Sequence, residues 1–562
     1  MTEGKTNTDL QDLQDLPKSA QDFLQLVIKK MRYRKKVRAD VMEELVAHFV
    51  DELQDCETAE DKEQRAKELI EQFGDPKLLA KLLRRGKKRC RSLWRKIIAG
   101  TFRTIGIIIV CFILYTVSFF VGTPKVTVDY VAKFNEITRP EIDQIDNAWP
   151  NYQRAAELFV EQDDELEQMI KQLGSDAPYR REYLADLTDE QRGRIRQWLK
   201  QNEASWEQFE VGASKRYCHY IYELKGEDKS LFNNIFLPHL RPMLDLARVG
   251  VWKSRFQLEE GNIKLALDHA LTIAKVGSHQ QKGGTFAEQH IGLSMVRHAY
   301  NQILYIVSHA ELSSEVLADT QRRLNHIYVQ GFPTISMEGE RIMSLDVVQH
   351  VFTDGGIGGG HLVPKAAAPT LHSLFNTEDE DEHIEFLMAC TASAMVHARR
   401  DETVRAINKI YADLEELGKM TPYQKYASDI KGEDFLDEFN KYRYFLLRRF
   451  LWLYGDDVIE VSYEVKALHE ATITVLALQR YRNDKGRYPA SLEQLVSDGY
   501  LNALPLDPFS DGSFVYKTTA DGFALYSLGR NFIDDGGVVG EDSEGNKIQW
   551  SGNGDAVFWP VE

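Results

Sequence analysis

Cysteine is scarce and scattered in this 562-residue chain. Cys56, Cys90, Cys111, Cys218 and Cys390 form no CxxC pair and no dense framework. Neither a zinc ribbon nor a disulfide scaffold is indicated, and the spacing of Cys218 and Cys390 decides nothing about pairing. Catalytic signatures are also missing. There are 15 histidines but no HExxH, because His469-Glu470 runs on into Ala-Thr-Ile-Thr. No GxSxG elbow is present. The glycine-rich segment from Asp354 to Thr370 has five glycines in six positions from Gly355. It lacks the GK[ST] that a phosphate cradle requires and precedes no βαβ unit, so it reads as a mobile loop. No catalytic residue is assigned.

One stretch lacks charge altogether. TIGIIIVCFILYTVSFFVG, Thr104 to Gly122, is apolar or weakly polar throughout, and counting back to Ile97 it is long enough to span a bilayer. A helix needs about 20 such residues to cross a hydrocarbon core of about 30 Å. The alternatives, a buried core helix or a signal peptide, fit less well so far from the N-terminus. Lys77 to Arg103 carries eleven basic residues and no acidic one. The positive-inside rule therefore keeps the N-terminal part in the cytoplasm and sends the rest across.

Charge follows the same division. The chain has 69 basic and 86 acidic side chains, net −17; residues 1–123 are +5 and the remaining 439 are −22. A basic juxtamembrane segment suits anionic headgroups. An acidic outer part argues against nucleic acid as a partner.

Residues 1–15 are polar and expected to be mobile. Beyond them Phe23, Leu24, Val27, Ile28 and Met31 recur at helical spacing. Val41, Leu45, Phe49 and Leu53 mark a second helix, and Ala66, Leu69, Ile70 and Phe73 a third that stops at Gly74 before Asp75-Pro76. Leu78 to Leu83 begins a fourth. The layout, with Glu43-Glu44, His48, Asp51 and the Phe73-Gly74-Asp75-Pro76 turn, resembles the bacterial HAAS-type or permease-prefix domain over about residues 16–85. The resemblance implies a cytoplasmic domain for sensing or protein contacts. His48, Asp51 and Glu52 read as a solvated helix face rather than a metal site.

From Ile142 to about Asp456 the pattern is predominantly helical. Thr188 to Arg192 looks like an N-cap with an acidic first turn. Ala247 to Gly277 reads as a helix hairpin turning at Glu260-Gly261-Asn262, with Ser254, Ala266 and Ala270 where the helices pack. No second copy appears at the 34-residue period of a tetratricopeptide array. The acidic run Asn376 to Phe386 reads as a solvated helix start. Glu338, Glu340 and Asp346, near Arg341, form either an ion-pair network or an acid/base pair.

After Asp456 a long helix presents Val461, Val465, Leu468, Ile473, Leu476 and Leu478, and ends at Gly486. A short helix begins at Pro489 and Ser491, and three alternating segments follow as antiparallel strands. LQRYRNDKGRYP from Leu478, LPLDP from Leu504, Phe514 to Tyr516 and LYSLG from Leu525 resemble the head of type II secretion major pseudopilins. Similar heads end large membrane proteins of planctomycete-like bacteria. The resemblance implies a calcium-binding terminal loop, with Ser527, Asp534, Asp535 and Asp555 as ligands; a solvated Asp-Asp-Gly-Gly turn is the alternative. In a pseudopilin the membrane helix runs straight into the head, whereas here it lies more than 330 residues upstream.

The expected protein is mainly α-helical and single-pass in a bacterial inner membrane. It comprises a cytoplasmic helical domain (16–85), a basic juxtamembrane segment (86–103), a transmembrane helix (104–122), an exported helical-hairpin domain (124–455) and a small α+β head (456–562). Its expected role is non-enzymatic interaction, scaffolding or signalling, with protein partners on both sides of the membrane. A secretion or pilus component is one alternative. An exported hydrolase with its acidic site around Glu338 to Asp346 is another.

Overall fold

The computed structural model describes residues 13–89, 93–139, 146–172, 187–224, 230–231, 235, 237–355, 359–375, 380–430, 432–451, 456–519 and 522–561. Most of the polar N-terminal tail and the first four residues of the acidic run from Asn376 lie outside them. The chain divides into two units, Met1–Tyr115 and Thr116–Glu562.

The first unit packs four helices, Lys18–Lys30, Lys35–Leu53, Ala59–Phe73 and Pro76–Arg89. Its core joins Phe23, Leu24, Val27 and Met31 to Val41, Leu45 and Phe49, with Ala66 and Leu69 closing the third side. These are the positions predicted from the helical spacing. The Thr58 hydroxyl caps the third helix by accepting from the Asp61 amide, and Gly74 ends it at φ +70°. His48 lies edge-on to Phe73 at 5.6 Å between ring centroids, on an otherwise exposed face.

The next helix, Leu93–Ser118, contains the one candidate membrane span among the described residues. Ile97–Ser118 has a mean hydropathy of 2.4 and no part of its apolar window is buried. A core helix of this composition would hide its side chains in protein; this one exposes Ile105, Ile108, Phe112 and Leu114 all round.

The second unit is predominantly α-helical. Helices Leu240–Glu259 and Ile263–Gln280 form the predicted hairpin, with Gly261 at φ +80° in the turn. The Ser254 hydroxyl donates to the Ala266 carbonyl at 2.7 Å. The second hairpin helix packs closely on Phe286–His309, where Gly277 and Gly292 meet: a Cβ on Gly292 would stand 2.7 Å from the Gly277 carbonyl oxygen. Helix Asp189–Gln201 starts with the capping box of Thr188 and Gln191. The glycine-rich loop is pinned at its base by an antiparallel bridge between Phe352 and Leu362, and Gly359 and Gly360 take positive φ where it closes. Cys218 and Cys390 are separate free thiols.

Helix Asp456–Lys485 runs through the middle of this unit. It packs on Phe286–His309, on Ser314–Ile327 and on the C-terminal sheet, all within one continuous core. The apolar side read from its sequence is only part of what it buries. Ser462, Glu464, His469, Thr472 and Thr474 are buried too. The hydroxyls of Ser462, Thr472 and Thr474 donate to carbonyls three or four residues back, so these polar residues enter the core already bonded. The sheet has three antiparallel strands in sequence order, β1 (Val515–Thr518), β2 (Phe523–Ser527) and β3 (Ala556–Trp559). Phe514, Phe523, Leu525, Ala556 and Phe558 are buried with the core, as alternation predicts.

Candidate functional site

Two regions hold the residues that the sequence singles out, and a third was not visible in it. The first is the C-terminal loop. Asp555 is fully buried. Its Oδ2 accepts from the Gly537 amide at 2.7 Å and its Oδ1 from the Asp535 amide at 3.3 Å. Asp534 accepts from the Tyr526 hydroxyl at 2.8 Å and the Gly536 amide at 2.9 Å, and Asp535 accepts from the Asn531 side chain at 2.7 Å. These three aspartates therefore share one turn. Ser527 points elsewhere: its hydroxyl donates to Asp507 at 2.7 Å. Asp507 was missed as a site residue, although the Leu504–Pro508 motif that contains it was noticed. It is buried, and accepts also from the amides of Phe509 and Leu528.

Burial raises the Asp507 and Asp555 carboxyls above their usual range, and neighbouring acids add to it: Asp555 acts on Asp507, and Asp535 and Asp534 act on Asp555. The amide donors pull the other way. Among the described residues no group of three or more His, Cys, Asp or Glu side chains is arranged to hold a metal ion. The donor set is of the hard-oxygen kind that suits calcium, and Asp534, Asp535 and Asp555 retain lone pairs beyond those engaged by N–H and O–H donors.

The second region is the carboxylate run of helix Glu338–Val351. Glu338 is ion-paired with Arg341 on the surface. Glu340 is buried and accepts from the Phe286 amide at 2.8 Å, at the first turn of helix Phe286–His309. Asp346, also buried, accepts from the Leu231 amide and the Gln349 side chain, each at 2.7 Å. The three do not converge on a common cavity, and each is engaged in holding neighbouring backbone or an ion pair.

The third region is a cleft of about 1060 Å³. One wall is helix Ser314–Ile327, another is helix Asp456–Lys485, and the segment Gly499–Gly512 closes it. Gln321 ties the walls together: its side-chain amide donates to the Tyr500 carbonyl at 2.9 Å and its oxygen accepts from Arg480 at 2.6 Å. His469 lies in its floor, between Tyr328 and Phe332, with Nδ1 2.8 Å from the Tyr300 hydroxyl. Burial holds this imidazole down to about 3, so it is neutral at physiological pH, and burial raises the Glu470 carboxyl beside it. Leu506 stands on the rim, 67% exposed. The cleft has polar and apolar walls in comparable measure. Sequence periodicity could not reveal it, because its walls are distant in the chain.

No protein-family model, no curated protein and no solved structure matches this chain.

Proposed function

We propose that this is a membrane-anchored recognition protein, with the Ile97–Ser118 helix as anchor and the Ser314–Gly512 cleft as the place where a polypeptide segment of a partner binds. The cleft carries the reading. It is an open groove with mixed walls, of the kind that takes an extended chain through backbone bonds and a few side-chain anchors. The apolar window of the Ile97–Ser118 helix is unburied, and a bilayer is the environment that would remove such a surface from water. The basic flank before it favours a cytoplasmic first unit. A small helical unit on one side and a binding unit on the other suit interaction or signalling across an envelope. The test is selection of a linear peptide library on the detergent-solubilised full chain, with Leu506→Asp alongside. Enrichment of a consensus that binds the native protein at least tenfold more tightly than the variant supports the reading. No consensus, or equal binding to both, overturns it.

The second reading concerns the head. A three-stranded sheet against a long helix is consistent with the pseudopilin resemblance, and the acidic turn supports calcium as an ion that fixes the loop. Calcium titrated into the full chain is expected to raise its unfolding temperature saturably, with the rise lost in Asp535→Asn. An unchanged unfolding temperature would leave the turn held by its hydrogen bonds alone.

A further inference from the structure

A second cavity, of about 1110 Å³, shares no lining residue with the Ser314–Gly512 cleft. It is built where helix Tyr130–Ile137, helix Trp149–Leu158 and the segment Tyr217–Glu223 come together with His239. Two asparagines hold that segment extended. Asn147 accepts from the His219 amide at 2.8 Å and donates to its carbonyl at 2.9 Å. Asn135 does the same for Tyr222, at 2.7 and 3.0 Å.

The held segment presents aromatic side chains to the cavity. Tyr220 packs on Trp149 with ring centroids 4.5 Å apart, and both pack on His239, at 5.2 and 4.6 Å. Trp149 and Tyr220 are half-buried, so part of each ring remains open. His239 is 4% exposed, and its Nδ1 has no hydrogen-bond partner among the described residues. Its Nε2 lies 3.9 Å from a carboxylate oxygen of the buried Glu288. The other Glu288 oxygen is engaged by the hydroxyls of Tyr222, at 2.8 Å, and Thr285, at 2.7 Å. At the rim, Glu136 and Glu223 are exposed and have no ion-pair partner among the described residues; Arg139 is the one basic side chain lining the cavity.

We propose that this cavity binds an organic cation of the alkylammonium type, held over the faces of Trp149 and Tyr220 and drawn in by Glu136 and Glu223. Ring faces carry partial negative charge and attract a cation that sheds water easily. An anion would meet two rim carboxylates and those same faces. A neutral apolar ligand would leave the buried imidazole nitrogen unsatisfied. An ammonium bearing an N–H supplies a donor directed at the His239 side of the cavity, with Glu288 behind it as a compensating charge. Burial takes His239 down to about 4, which leaves its ring neutral and able to accept. The site is separate from the cleft of the proposed partner-binding surface, so the two readings stand or fall independently.

The test is calorimetric titration of the full chain in detergent at low salt. The probes are choline, its neutral isostere 3,3-dimethyl-1-butanol, and the peptide Gly-Lys-Gly. Saturable binding of choline or of the peptide, at least tenfold tighter than the isostere, supports the site. Choline bears no N–H, so tighter binding of the peptide's N–H-bearing ammonium is expected if the His239 nitrogen accepts a bond, and equal binding would leave the aromatic faces as the recognising element. Glu136→Gln/Glu223→Gln, both on exposed positions, is expected to weaken binding about two- to fivefold without changing the unfolding temperature. Tyr220→Leu is expected to weaken it roughly tenfold. Absence of saturable binding by both cations, or equal binding of the neutral isostere, overturns the proposal.

Discussion

Replacing Glu464 with glutamine is expected to destabilise the large unit by about 3–5 kcal/mol. Glu464 is 1% exposed and lies in the first third of the Asp456–Lys485 helix. One carboxylate oxygen meets Arg297, from helix Phe286–His309, at 2.7 Å. The other meets Arg530, from the short turn after β2, at 2.5 Å. A single carboxylate thus balances two guanidinium groups brought by different parts of the chain. Glutamine keeps the shape and one acceptor but removes the charge. Arg297 then loses its carboxylate and Arg530 keeps the more distant Glu460, and breaking one side of a buried pair costs more than the pair contributes. Glu460 is the control. It lies 3.9 Å from Arg530 and is partly exposed, so Glu460→Gln is expected to cost less than about 1 kcal/mol. The measurement is urea unfolding of the full chain in detergent, followed by tryptophan fluorescence. A loss below about 1 kcal/mol for Glu464→Gln would show that the three side chains are not coupled in this way.

The second large effect is loss of stability on acidification from pH 6.5 toward pH 4. Burial holds His298 and His469 down to about 3, and His239 and His397 down to about 4. In the unfolded chain an ordinary histidine titrates near 6.5. Between these values the unfolded state binds protons that the folded state refuses. Stability is therefore fully present above pH 6.5 and falls as the pH drops toward the folded values, by roughly tenfold in the folding equilibrium per pH unit for each histidine. Carboxyls raised by burial work in the opposite sense, Asp245 among them. Glu288, Glu470, Asp507 and Asp555 are raised by burial, and their contribution improves as the pH falls through their folded values. Their contribution cancels when the chain is compared with a single histidine variant at each pH. His469→Gln isolates one term: the slope of unfolding free energy between pH 6.5 and 4.5 is expected to flatten by one proton. An unchanged slope would mean that His469 is protonated or exposed in the folded state.

Local signals in the sequence proved readable, and long-range ones did not. The four helices of the first unit follow from Phe23, Val41, Phe49 and Leu69 at helical spacing and from Gly74 as a stop. The Thr188 cap and the three terminal strands were equally visible, since each is specified by neighbours within a few residues. The polar half of the Asp456–Lys485 helix was not. Glu464 looks like any surface glutamate until Arg297 and Arg530 arrive from 167 and 66 residues away. Ser527 illustrates the same limit at the candidate site. The pseudopilin resemblance implies a ligand set that includes it, whereas its hydroxyl is committed to Asp507, twenty residues earlier. Both cavities are assembled from segments with no common periodicity, so no window of the sequence contains either one.

The central position of the Asp456–Lys485 helix bears on how the molecule is made. This helix leaves the ribosome after the Phe286–His309 and Ser314–Ile327 helices that pack against it. Until it arrives, the apolar faces that they turn toward it are uncovered, and the large unit must wait, partly open. Chaperone-dependent holding during synthesis is the natural accompaniment of such an order. A premature stop between the hairpin and Asp456 would then leave an unclosed bundle exposed to proteolysis, rather than a shorter protein that lacks only its head.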